Sequence, residues 1–126
     1  ILAIELFITK DDKVIVNELA PRPHNSGHYT IEACSFDQFD AHIRGIAGWP
    51  LEQPQLLKPA VMVNVLGQHV APTRALIADH PEWNVHDYCK AEVRHDRKMG
   101  HISVLTDDTA RTVADLEATG CWDDLR

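Results

Sequence analysis

Asn17-Glu18-Leu19-Ala20-Pro21-Arg22-Pro23-His24-Asn25-Ser26-Gly27-His28 runs a strand-like segment straight into a loop crowded with hydrogen-bonding side chains. Two prolines and a glycine after Ala20 bar regular structure there, so the segment beyond the strand is expected to be a loop. It delivers Arg22, His24, Asn25, Ser26 and His28 close to the strand end. A stiff loop dense in donors beside an acidic residue suits an anionic ligand. The same residues also suit a structural turn in which Asn25 and Ser26 make local hydrogen bonds. The residues alone leave both readings open. Zinc is not expected, because His24 and His28 have no third ligand at suitable spacing and the segment is not helical.

Upstream, Ile1–Ile8 and Val14–Val16 are rich in β-branched and aromatic residues, and the charged Lys10-Asp11-Asp12-Lys13 between them predicts a hairpin. A turn symmetric about Asp11-Asp12 places Glu5 directly opposite Glu18. Opposed side chains in such a pair have Cβ atoms about 4.5–5.5 Å apart, and like charges there repel. A divalent cation would relieve the repulsion, and paired carboxylates are how magnesium is usually held. Spacing equally permits two glutamates facing solvent on an edge hairpin, and a slip of one residue would put them on opposite faces. The chain opens in strand-like sequence without Met, so a longer protein is expected to precede Ile1, and Ile1–Ile8 in isolation would be a self-associating sheet edge.

Downstream, Ser35 is the expected N-cap of a helix reaching about Ala47, with Phe36, Phe39, Ile43 and Ile46 on its apolar face and Gly48 and Pro50 ending it. Leu51–Pro59 has two glutamines, two prolines and no period, which sets a boundary between residues 1–52 and 53–126. The second part reads as a strand Ala60–Leu66, a helix Ala71–Asp79 led by Pro72, a strand pair Val85–Val93 and His101–Leu105 joined by the turn Arg94–Gly100, and a helix Asp108–Ala118 stopped by Gly120. The fold class is α+β. Lys90, Arg94, Arg97 and Lys98 cluster near that turn and could close on a phosphate. Glu92 and Asp96 lie among them, so a solvated hairpin tip with its own ion pairs is the alternative.

The net charge of −7 argues against a general nucleic-acid binder, although not against a local cationic pocket. No apolar run approaches the length needed to span a bilayer. The three cysteines, Cys34, Cys89 and Cys121, are odd in number and widely spaced. They read as reduced thiols of a cytoplasmic protein.

The Asn17–His28 string resembles the signature of 5-(carboxyamino)imidazole ribonucleotide synthase, an ATP-grasp ligase. Ala3-Ile4-Glu5-Leu6-Phe7 resembles the strand before that signature, and Arg97-Lys98-Met99-Gly100-His101 resembles a second block of the family, in the same order. The resemblance implies the C-terminal part of an ATP-grasp domain followed by a small β-rich domain with a closing helix. It implies carboxylation of 5-aminoimidazole ribonucleotide by bicarbonate, with ATP giving ADP and phosphate, in purine biosynthesis. By position, Glu5 and Glu18 would ligate Mg2+ and Asn17 would assist Glu18 at ATP. Arg22, His24 and Asn25 would act at the bicarbonate and aminoimidazole end, and Lys90, Arg97 and Lys98 would take the ribonucleotide phosphate. The family's Gly-rich phosphate loop, its ATP-binding lysines and its N-terminal substrate domain have no counterpart here, so this stretch is expected to be inactive alone. The partner it needs is the N-terminal part of the same enzyme, and a homodimer stays open. A non-catalytic module holding a phosphorylated ligand, and another ATP-grasp carboxylase or formyltransferase, are the alternatives.

Overall fold

A computed structural model describes Ile1–Asp123, which divide into two compact units, Ile1–Leu56 and a second beginning at Leu57. No helix among the described residues is long and apolar enough to cross a membrane.

The first unit begins with the antiparallel strands β1 (Ala3–Ile8) and β2 (Val14–Ala20). Their turn differs from the symmetric one expected. Thr9 N–H donates to Lys13 C=O at 2.9 Å, Asp12 N–H donates to Thr9 C=O at 3.0 Å, and Asp12 takes a left-handed φ of 58°. This is a three-residue loop closed by a left-handed residue, a common hairpin connection. An odd loop slips the ladder by one, so Leu6 faces Val16 rather than Asn17. A bulge between Glu5 and Leu6 then absorbs Asn17 as the extra residue, and Glu5 again faces Glu18. The glutamate pairing therefore holds for a different reason from the one the turn suggested. Apolar side chains are exposed on both faces of the hairpin, Ile8 at 75% on one and Phe7 at 56% on the other.

After the loop, a single 3-10 turn at Asn25–Gly27 leads to the short helix α1 (Thr30–Ala33) and then α2 (Gln38–Ala47). The N-cap of α2 is Asp37, not Ser35. Asp37 Oδ1 accepts from Phe39 N–H at 2.7 Å and Asp40 N–H at 2.9 Å, satisfying two donors that the helix itself cannot. Ser35 is engaged elsewhere, donating its N–H to Gln55 C=O at 2.9 Å and accepting Gln55 N–H on Oγ at 3.0 Å. Gly48 ends α2 at a left-handed φ of 67°.

The second unit is a three-stranded antiparallel sheet ordered β3-β5-β4, with β3 Ala60–Leu66, β4 Asn84–Asp87 and β5 Lys98–Leu105. The expected strand Val85–Val93 stops at Asp87, because the chain leaves the ladder for a long loop in which Cys89 (φ 50°) and Asp96 (φ 58°) are left-handed. The partner strand correspondingly starts early, at Lys98. The helix expected from Ala71 is α3 (Val70–Leu76), continued by a 3-10 turn to Asp79. The closing helix is α4 (Thr109–Ala118), capped by Asp108 accepting from Arg111 N–H at 2.9 Å. Ile102, Val104, Val65, Leu116, Trp83 and Trp122 form the core, and Trp122 Nε1 donates to Asn64 C=O at 3.0 Å.

One glycine fixes the basic loop between β4 and β5. A Cβ at Gly67 would lie 2.0 Å from Arg94 C=O, so only glycine lets the loop backbone pass this close to the turn after β3. Gln68 holds the same loop, accepting Asp96 N–H at 3.0 Å and donating to Asp96 Oδ1 at 3.1 Å.

Candidate functional site

The bulge at Asn17 and the kinked exit from β2 place three potential ligand groups together. One atom each of Glu5, Glu18 and His24 lie within 4.8 Å of one another, the one such group of acidic, histidine or cysteine side chains found among the described residues. His24 Nε2 is 3.3 Å from Glu5 Oε1 and 3.9 Å from Glu18 Oε2. The other predicted residues gather on this pair. Asn17 Nδ2 donates to Glu5 Oε2 at 2.9 Å, while Arg22 Nη2 reaches Glu18 Oε1 at 3.4 Å and its Nη1 donates to Pro23 C=O at 3.1 Å. Asn25 is half-buried and opens the 3-10 turn, its C=O accepting from His28 N–H at 3.2 Å.

The glutamate side chains are 39% and 45% exposed, whereas that of His24 is 11% exposed. The carboxylates thus keep access to solvent and ligand while the ring is walled in. Ser26 N–H donates to His24 Nδ1 at 3.4 Å and Ser26 Oγ lies 2.9 Å from the same nitrogen. An Nδ1 that accepts leaves a ring proton on Nε2, aimed at Glu5. The donor set fits a hard divalent cation: two opposed carboxylates, unfavourable together when bare, supply oxygens of the kind Mg2+ prefers.

Gln38 carries no signal as a site residue in the sequence, yet it holds the loop. Its Oε1 accepts His24 N–H at 2.8 Å, and its Nε2 donates to His24 C=O at 2.8 Å and lies 2.9 Å from His28 Nδ1. The ring of His28 stacks on Phe39 at a centroid distance of 5.6 Å. Gln38 stands fourteen residues beyond His24 on another element, so no local spacing points to it. The usable signal is Asp37-x-x-Asp40, which sets the start of α2 at Gln38.

In the second unit the basic residues cluster on the loop before β5 and at the start of that strand but do not share one role. Lys90 Nζ donates to Lys98 C=O and lies 5.4 Å from the Tyr88 ring centroid. Arg94 is engaged by Glu92, its Nε 2.9 Å from Oε2. Arg97 Nη1 makes only a 3.5 Å contact to Glu92 C=O, and Lys98 is exposed at the start of β5. A cavity of about 320 Å³ beside the loop is lined by Lys90, Cys89, Met99, Val65, Thr73 and Arg74 among others. At its rim the Arg74 guanidinium, 2.7 Å from Asp87 Oδ2, holds that carboxyl below its ordinary range, helped by the Cys89 N–H. Burial raises the Tyr88 hydroxyl, which stays protonated 2.9 Å from His101 Nδ1.

Comparison with known proteins agrees with both units. The ATP-grasp domain family matches residues 1–39, and the phosphoribosylaminoimidazole carboxylase C-terminal domain family matches residues 60–115. The N5-carboxyaminoimidazole ribonucleotide synthase of Staphylococcus saprophyticus is 53% identical over 110 residues, covering 86% of this chain and 29% of that protein. The chain belongs to the N5-carboxyaminoimidazole ribonucleotide synthase family. Two solved synthases of the family hold ligands. That of Staphylococcus aureus, complexed with ADP, is 49% identical with a TM-score of 0.88, over 92% of this chain and 31% of that one. That of Aspergillus clavatus, in complex with ADP and 5-aminoimidazole ribonucleotide, is 33% identical with a TM-score of 0.80, over 92% of this chain and 33% of that one. The chain therefore spans about a third of the length of the synthases it matches, and it has their mixed α/β architecture with antiparallel sheets.

Proposed function

We propose that this chain contributes the metal-binding carboxylates and the carboxylation loop of an ATP-dependent ligase that joins bicarbonate to 5-aminoimidazole ribonucleotide, releasing ADP and phosphate in purine biosynthesis. The observation that carries it is the convergence of Glu5, Glu18 and His24 within 4.8 Å, with Asn17 and Arg22 bonded to the two carboxylates. Relatives of the same family bind ADP and the ribonucleotide, which supports the same substrates here. Glu5 and Glu18 would hold Mg2+, which supplies charge neutralisation at the ATP phosphates. Asn17 fixes the Glu5 carboxylate through its amide. Arg22 sits where a guanidinium can share charge between Glu18 and an incoming bicarbonate or carboxyphosphate oxygen. His24 presents an Nε2 proton at the same point, suited to holding an oxyanion, and Asn25 lies next to it in the turn. Lys90, Arg97 and Lys98 are proposed for the ribonucleotide phosphate, the Lys90 ammonium already placed by the Lys98 carbonyl. The groups that bind adenine are proposed to come from sequence outside this chain, so this stretch alone should not turn over ATP.

The test uses the full-length protein carrying this sequence. Glu18→Gln keeps the size and removes the charge. It should lower bicarbonate-dependent ADP formation by about 10²-fold or more while leaving the circular dichroism spectrum unchanged. Near-normal turnover would remove Glu18 from the metal site and, with it, this reading of the pair.

A further inference from the structure

We infer that Gln38 is a positioning residue for the carboxylation step, acting through the main chain of His24, and this rests on the function proposed for His24. The side chain of Gln38 meets both main-chain polar atoms of that residue: it accepts the His24 N–H and donates to the His24 C=O, both at 2.8 Å. The same amide nitrogen lies 2.9 Å from His28 Nδ1. Gln38 is 8% exposed, so these bonds have little competition from water. The other end of the clamp is also fixed. Gln38 is the first residue of α2, held by the Asp37 cap. Its own N–H donates to Thr30 Oγ1 at 3.0 Å, which in turn donates to Gly27 C=O at 2.6 Å.

The consequence is geometric. Main-chain bonds from Gln38 fix where the His24 Cα sits, and Ser26 fixes how the ring turns, at 2.9 Å from Nδ1. Together they decide that Nε2 lies 3.3 Å from Glu5. A loop between two prolines and a glycine has no regular ladder of its own to do this. Gly27 is part of the device, because a Cβ there would sit 2.5 Å from Gln38 Oε1 and displace it. Displacing a reacting group by about 1 Å can cost about 10²-fold in rate, so a clamp on the His24 backbone bears on turnover although Gln38 touches none of the carboxylates.

The variants are Gln38→Glu, which replaces the donor facing the His24 carbonyl with an acceptor, and Gln38→Met, which removes both bonds at similar volume. In the full-length protein each should lower kcat for bicarbonate-dependent ADP release by roughly 10–10²-fold, with KM for ATP changed by less than about threefold, at a temperature where circular dichroism shows the variant folded. In a His24→Ala background Gln38→Met should lower kcat by less than about threefold more, because the group it positions is gone. An undiminished kcat in the single variants overturns the inference, and so does a full additional loss in the His24→Ala background. A variant that is unfolded by circular dichroism passes the decision to the other substitution. If the wild-type protein releases no ADP with ATP, bicarbonate and 5-aminoimidazole ribonucleotide, the proposed function fails instead.

Discussion

Gly27, in the loop before α1, and Gly45, inside α2, should respond oppositely to alanine, and the structure says by how much. Gly27 has an ordinary backbone, since the left-handed glycines among the described residues are Gly48 and Gly120. Alanine can therefore adopt its φ and ψ, and the lost freedom of the unfolded chain alone would stabilise by about 0.4–1 kcal/mol. Space decides against it. The added Cβ would lie 2.5 Å from Gln38 Oε1 and 2.8 Å from its Cδ. That amide is not free to move, being held by two bonds to His24 and one to His28. Losing these three at about 0.5–1.5 kcal/mol each gives roughly 1.5–4.5 kcal/mol, and the entropic gain of about 0.4–1 kcal/mol leaves a net loss of about 0.5–4 kcal/mol. A Cβ added at Gly45, by contrast, would meet nothing within 4 Å. Alanine there should stabilise by about 0.5–1 kcal/mol. Thermal unfolding of the full-length protein, followed by circular dichroism, should show Gly27→Ala lowered by roughly 1–5 °C and Gly45→Ala raised by about 1 °C. Adding Gln38→Ala should erase most of the Gly27→Ala penalty, because the clashing atoms are gone. A Gly27→Ala protein as stable as wild type, or one whose penalty persists without the Gln38 side chain, refutes the reasoning.

Other outcomes follow from different parts of the molecule. Arg97→Ala should raise KM for the ribonucleotide at least about tenfold more than KM for ATP in steady-state kinetics, and equal effects would sink its phosphate role. The Arg74–Asp87 pair is formed only with Asp87 ionised, and the depressed folded carboxyl contributes stability above the unfolded value near 3.9 that is lost as pH falls through the folded one. Because the pair is exposed, Arg74→Gln should cost at most about 1 kcal/mol at neutral pH and progressively less as pH falls through the depressed folded value, measured by denaturant melts. Both hairpin strands are edges carrying exposed apolar side chains. Ile15→Lys in the 126-residue chain should therefore reduce concentration-dependent association seen by light scattering, and an unchanged mass distribution would clear this hairpin of the role.

Residue types and order already determined much of this protein. Hydrophobic runs split by charged or proline-bearing segments place two antiparallel pairs and the helices near residues 38–47 and 109–118, because those periods are local properties of the chain. The Asn17–His28 string similarly carries its chemistry in plain view. What tertiary structure decided is how distant groups meet. Glu5 faces Glu18 through a three-residue turn and a compensating bulge at Asn17, two offsets that cancel and that no pattern of side chains announces. Strand β4 ends at Asp87, just before the left-handed Cys89 turns the chain out of the ladder. His24 reaches the carboxylates because an amide fourteen residues away grips its main chain. Hydrogen bonds to the main chain between elements have no sequence period, so only the folded chain reveals them.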